Sequence, residues 1–271
     1  NGERIHQETV LDAMQKAGLT PSLLQCGAHL PYDKATADAM VQAGQKPEPI
    51  HNNCSGKHTG FLSLAKHLGL PLDTYLDPKS ELQQLILANV ADVVGLKPAD
   101  IAIGVDGCGV PVFGLPLFNM AYSFARLADP SYMPAGKEEA GRLFREAMLT
   151  HPHNVGGNGR ICTEIMELPG RRFVAKSGAE GVYCLGVLPE AVQASPLLRE
   201  AGAVGGIGIA VKAEDGHKDV RHLVTVEILE QLGLLTDADR QALARYRTTQ
   251  IKNHAGKIVG EFRPTFKLER A

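Results

Sequence analysis

Apolar residues recur three and four positions apart through the first hundred residues, and that spacing predicts helices. From Glu8 to Ala17, Val10, Leu11 and Met14 fall on one face, and Gly18 ends the run. Lys34 to Ala43 predicts a second, shorter helix. A third follows Ser55, where Phe61, Leu62, Ala65 and Leu68 keep the helical interval. Ser80 to Val94 predicts a fourth, with Leu82, Leu85, Ile86, Val90 and Val93 in phase. The phrase Ser80-Glu81-Leu82-Gln83 has the form of a capping box at its start.

The pattern changes after residue 100. Ile101 to Val105 is a short apolar run leading into the glycine-rich Asp106-Gly107-Cys108-Gly109, which predicts a strand and a loop. Pro111 to Pro116 cannot continue a helix. Helical spacing returns over Ala121–Leu127 and Lys137–Leu149, and again over His222–Leu232. Strands are predicted at Phe173–Lys176, Val182–Leu185, Gly206–Val211 and Ile258–Phe262. Several gaps between these late strands are too short for a crossover helix, so the sheet is expected to be largely antiparallel. The expectation is an α/β protein forming one domain over 1–271, helix-rich over 1–100 and mixed strand and helix over 101–271. No fixed-period repeat is visible.

Composition narrows the function classes. The 28 basic and 30 acidic residues are interspersed and give a net charge of −2, so no stripe exists to neutralise a phosphate backbone. Aromatic residues make up 5% and Trp is absent, which leaves little for base stacking. No run of eighteen apolar residues occurs, and a membrane span is not expected. The opening Asn1-Gly2-Glu3-Arg4 is unlike a signal peptide. Five cysteines (Cys26, Cys54, Cys108, Cys162 and Cys184) form no CxxC pair. An odd count without a secretory signal favours a reducing, cytoplasmic setting.

Candidate chemistry gathers in four segments. His51-Asn52-Asn53-Cys54-Ser55-Gly56-Lys57-His58 puts a thiol, an amine and two imidazoles just ahead of an amphipathic helix. With Ser55 as its cap, Cys54 sits at the positive end of that helix, where the dipole favours thiolate. Taken alone, the segment fits a buried thiol beside a solvated lysine better. Asp106 and Cys108 share a loop whose glycines let a ligand approach the backbone; Cys108 also fits a small hydrophobe at a strand end. Lys176 closes an apolar strand before Ser177-Gly178-Ala179-Glu180-Gly181, where a buried lysine of depressed pKa can serve as general base to a hydroxyl nucleophile. On its own this lysine fits an edge-strand side chain. Arg160 ends a polar loop before a short helix starting near Ile161 and is suited to a substrate carboxylate.

Taken together and in order, these segments resemble one family. Asn52-Asn53-Cys54-Ser55-Gly56-Lys57-His58, Asp106-Gly107-Cys108-x-x-Pro111 and Lys176-x-Gly178-Ala179-Glu180-Gly181 are similar to the motifs of the rhizobial-type asparaginase II family. Cys26-Gly27-x-His29, Arg160-x-x-Thr163 and Asn253-x-x-Gly256-x-x-x-Gly260 extend the likeness over essentially the whole chain. The resemblance implies a fold like serine β-lactamases and penicillin-binding enzymes. It implies a homodimer that hydrolyses L-asparagine to aspartate and ammonia with Ser-Lys pairs. It implies zinc held by Cys54, Lys57 and Cys108, with Lys176 the catalytic lysine. Asp106, His58, Arg160 and Gly178 are then the substrate-contact candidates. The family's nucleophile serines would fall upstream of Asn1. A related amidase or glutaminase, and a zinc-binding protein without catalysis, are the alternatives.

Overall fold

A computed structural model describes residues 1–269, and the chain divides into two compact units, the first ending at Leu115 and the second starting at Pro116. Among the described residues no helix is long and apolar enough to cross a membrane.

The first unit is built from helices α1 (Arg4–Lys16), α2 (Lys34–Gln42), α3 (Ser55–Leu68) and α4 (Glu81–Val94), followed by the hairpin of β1 (Ala102–Val105) and β2 (Pro111–Gly114). α1 begins four residues before the apolar pattern does, because the one apolar residue of its first turn, Ile5, is exposed and out of phase with the buried Val10 and Met14. Val10 and Met14 bury one side of α1 against Leu62 and Ala65 of α3, and Tyr75, Leu82, Cys26, Cys108 and Val110 complete that core. A smaller cluster joins Leu87, Ala91 and Val94 of α4 to Ile101. α3 and α4 both end on glycines in the left-handed conformation, Gly69 and Gly95, which a residue with a Cβ adopts only at a cost.

Only half of the expected capping box forms at α4. Ser80 Oγ accepts from the Gln83 amide at 3.3 Å. The Gln83 side chain turns inward and donates to the Tyr75 carbonyl at 2.7 Å. A buried carbonyl competes better for that amide than a cap open to water does.

The second unit opens with α5 (Leu117–Ala128), α6 (Glu138–Thr150), α7 (Pro152–Val155) and α8 (Ile161–Met166). The hairpin β3 (Phe173–Ser177) and β4 (Val182–Val187) follows, then α9 (Pro189–Ala194), α10 (Pro196–Glu200) and β5 (Ile207–Lys212). It closes with α11 (Lys218–Gln231), α12 (Asp237–Ala242) and the hairpin β6 (Thr249–Lys252) and β7 (Ile258–Phe262). All the described strand pairs are antiparallel, as the short gaps demand in the three hairpins but not between β4 and β5, where α9 and α10 intervene; they form three small sheets, β1-β2, β3-β4-β5 and β6-β7, rather than one.

The three-stranded sheet is the centre of this unit. Phe173, Ala175, Tyr183, Leu185, Val187, Ile209 and Val211 pack with Ile165 of α8 and with Val226 and Leu229 of α11. α5 lies flush on a floor of glycines. A Cβ on Gly208 would stand 1.7 Å from the Ala121 carbonyl oxygen, and one on Gly186 would stand 2.7 Å from that of Phe124. Gly186 and Gly208 are register partners, so one glycine from each strand makes room for the helix backbone.

His222 on α11 is packed edge-on against Tyr183 and Tyr246. Burial, and then the neighbouring Arg221 charge, hold its pKa down to about 4. The unfolded chain titrates near the ordinary value of about 6.5. Stability from this group is therefore complete above that value and is lost as pH falls towards 4, because the unfolded state binds the proton first. Partial exposure limits the effect to about 1–2 kcal/mol. Urea unfolding at pH 7 and pH 4.5 is expected to show a smaller acid loss in His222→Gln than in the wild type. Equal losses would remove His222 from the account.

Candidate metal centre and lysine turn

Four of the residues singled out in the sequence meet in the first unit. Asn52 is buried and joins two segments: its Nδ2 donates to the carbonyls of Cys26 (2.8 Å) and Gly27 (3.2 Å), and its Oδ1 accepts from the Cys54 amide at 2.8 Å. Cys54 is thereby fixed at the start of α3. It occupies the cap position itself, and Ser55, expected as the cap, is the first helical residue. Lys57 lies on the first turn of the same helix. It donates to Asp106 Oδ2 at 3.0 Å.

Asp106 opens the tight loop between β1 and β2, where Gly109 takes a positive φ of 84°. Its Oδ1 accepts from both the amide (2.8 Å) and the thiol (2.7 Å) of Cys108. One donor atom each from Cys54, Asp106 and Cys108 lies within 4.8 Å of the others. Donors on one tetrahedral zinc stand about 3.3–3.8 Å apart, as follows from bond lengths of about 2.0–2.3 Å. The set therefore needs only a small contraction to close on an ion, and two sulfurs suit zinc.

The electrostatics of the group are those of shared protons. Burial pushes the Cys108 thiol up to about 11, and its hydrogen bond to Asp106 adds to this. Burial acts against the Asp106 carboxylate, but the hydrogen bonds from Cys108 and Lys57 outweigh it and lower its pKa. Burial likewise opposes the Lys57 ammonium, yet Asp106 and the two thiols leave its pKa raised. An ammonium has no lone pair to give. Ligation by Lys57 thus requires a metal that competes successfully for that proton.

His58 faces the other way. It is fully buried, its Nδ1 is 2.7 Å from the Tyr75 hydroxyl, and its ring meets Tyr75 edge to face at 5.4 Å. Burial, and then the Lys57 charge, lower its pKa to about 4. Tyr75 in turn accepts from the Gln25 amide at 2.8 Å. The pair forms part of the packed floor beneath the α3 segment, and no feature of one sequence marks Tyr75 for this place.

The remaining candidates belong to the second unit. Lys176 is exposed near the end of β3, on the sheet face it shares with its register partner Cys184. Its Nζ donates to the Ser177 carbonyl at 2.7 Å. Gly178 follows in the exposed β3–β4 turn, where Glu180 and Gly181 take positive φ values of 49° and 72°. Arg160 is the half-buried residue that caps α8. Its charge helps to lower the pKa of Arg221, after burial. Arg221 is a residue the sequence reading passed over. It lies on the buried face of α11 with Thr225 and Leu229, and a charged residue four and eight positions ahead of those two was the available signal.

A statistical model of a protein family, described as L-asparaginase II, matches residues 1–264. A search among curated proteins returns no match. The matched span includes the Cys54–Cys108 centre and the Lys176 turn alike. The chain belongs to the L-asparaginase II family, and with it to the amidohydrolases.

Proposed function

We propose that the protein hydrolyses the side-chain amide of L-asparagine, giving L-aspartate and ammonia, by a Ser-Lys mechanism on a β-lactamase-like scaffold. The family match over residues 1–264 carries this reading. In it, a serine hydroxyl, placed by the resemblance ahead of Asn1, attacks the amide carbon while Lys176 takes its proton. The same lysine returns that proton to the departing nitrogen, and ammonia leaves an acyl ester. Water, deprotonated in the same way, then releases aspartate and the serine. Lys176 stands exposed at a strand end beside a turn open to solvent, where the sequence alone leads one to expect a buried lysine; in this reading the bound substrate and the nucleophile's segment would have to cover it for it to act as a base.

Arg160 is the partner we assign to the α-carboxylate, because a guanidinium pairs with it through two hydrogen bonds. On the resemblance alone, Asp106 is assigned to orienting the substrate and Gly178, where an added Cβ would meet Val182 at 3.1 Å, to a backbone contact with it. Cys54, Lys57 and Cys108 are the residues we assign to zinc, with Asp106 in reach of the same point. Bound there, the ion would supply positive charge and hold the α3 and β1–β2 segments together. His58 supports that floor through Tyr75.

Ammonia release from L-asparagine and L-glutamine by the full-length protein tests the reading. Release from asparagine in clear preference to glutamine is the expected result. Equal or greater release from glutamine makes the protein a glutaminase of the same type. No release from either, by folded and zinc-loaded protein, leaves a zinc-binding protein without catalysis.

A further inference from the structure

The β3–β4 turn that follows Lys176 is closed by its own backbone hydrogen bonds, Gly178 amide to Val182 carbonyl at 2.9 Å and Val182 amide to Ala179 carbonyl at 3.1 Å, and it is also held from outside. Glu180, which carries a Cβ, and Gly181 both sit in the left-handed region, a conformation that persists where the surroundings enforce it. Two contacts supply the enforcement. The Ala213 amide donates to the Gly181 carbonyl at 3.0 Å. From the other side, Arg221 Nη1 donates to both the Gly178 carbonyl and the Val182 carbonyl, the latter at 3.1 Å.

The Val182 carbonyl also accepts from the Gly178 amide at 2.9 Å. One guanidinium nitrogen thus spans the two residues that close the turn. Arg221 is only 5% exposed. No carboxylate forms an ion pair with it among the described residues, and its Nε meets the His222 ring nitrogen at 3.4 Å. Burying a cation among neutral acceptors is unfavourable and is not how a helix face is ordinarily filled. A leucine there would serve packing better. What a leucine cannot do is donate to two carbonyls at once.

We propose that Arg221 is the positioning residue of the lysine turn: bound to the carbonyls of Gly178 and Val182, it fixes the backbone that carries Lys176. The proposal rests on the reading in which Lys176 handles the proton. Arg221 itself touches no substrate. It acts through the turn, and a displacement of about 1 Å at a reacting group is enough to lower a rate on the order of 10²-fold.

The experiment uses the full-length protein with Arg221→Met, which keeps the apolar stem without donors, Arg221→Ala, and Lys176→Ala alongside. Hydrogen exchange of the Gly178 amide, far below the unfolding temperature, reads the turn independently of catalysis. Faster exchange there is expected in Arg221→Met, with kcat lower by on the order of 10²-fold and KM nearly unchanged. Methylguanidinium added to Arg221→Ala is expected to restore part of kcat, and not to restore it in Arg221→Met.

Unchanged exchange at Gly178 overturns the proposal whatever kcat does. So does faster exchange with unchanged kcat while Lys176→Ala is inactive, since the turn would then need no such support. Should Arg221→Met prove too unstable to assay, the alanine variant decides: no methylguanidinium rescue in folded protein counts against the role. Activity retained by Lys176→Ala fails the underlying reading instead, and is recognised by that arm alone.

Discussion

Alanine in place of Lys176 is expected to lower kcat for L-asparagine about 10³-fold, the range in which a positioned acid–base group contributes. The melting temperature should barely move. The lysine side chain is exposed, and its backbone keeps its place opposite Cys184 whatever the side chain is. Lys176→Arg sharpens the test. Arginine keeps the charge and most of the length but does not give up its proton in a protein. If proton transfer is the role, arginine fails as badly as alanine. If the lysine contributes only positive charge, arginine restores most of the rate. A folded alanine variant within tenfold of wild type removes Lys176 from the mechanism.

The second large effect concerns metal. Purified protein is expected to carry about one zinc per chain, and Cys54→Ser or Cys108→Ser should each weaken zinc binding at least 10²-fold, since a thiolate is a far better donor to this ion than a hydroxyl. Metal content after dialysis against a weak chelator measures this without reference to activity. Lys57→Met and Asp106→Asn divide the remaining question. Lys57 donates to Asp106 across 3.0 Å, so both stand at the same point. Loss of zinc in Lys57→Met with retention in Asp106→Asn makes the amine a ligand; the reverse makes it the carboxylate. Chelation should also lower the melting temperature, because an ion that binds only the folded state adds to its stability. Wild-type protein that takes up no zinc in titration ends the assignment.

Much of the fold is legible in the residues. Helices α3 and α4 follow from their apolar spacing, because each buries one face and the pattern records it. Elements with mixed or exposed faces are less visible. β6, with three exposed residues of four, carries no alternating signal. The first turn of α11, which includes Arg221, reads as loop because a charged residue stands where an apolar one is expected. The glycines at 186 and 208 look like strand-weakening positions until the backbone of α5 is seen lying against them.

The residue pattern alone supplies the ingredients: two thiols, an amine and a carboxylate in two short motifs, and a lysine before a glycine-bearing turn. It also carried the family, since motif order survives where contacts are invisible. Tertiary structure decided which of these side chains share a point. Asp106 and Lys57 are 49 positions apart and form one hydrogen bond; His58, next to Lys57, turns into the core towards Tyr75. Adjacent residues on a helix point in different directions, and distant ones meet only when the core between them is packed. That packing is a property of Met14, Leu62, Tyr75 and Val110 together. No motif records it.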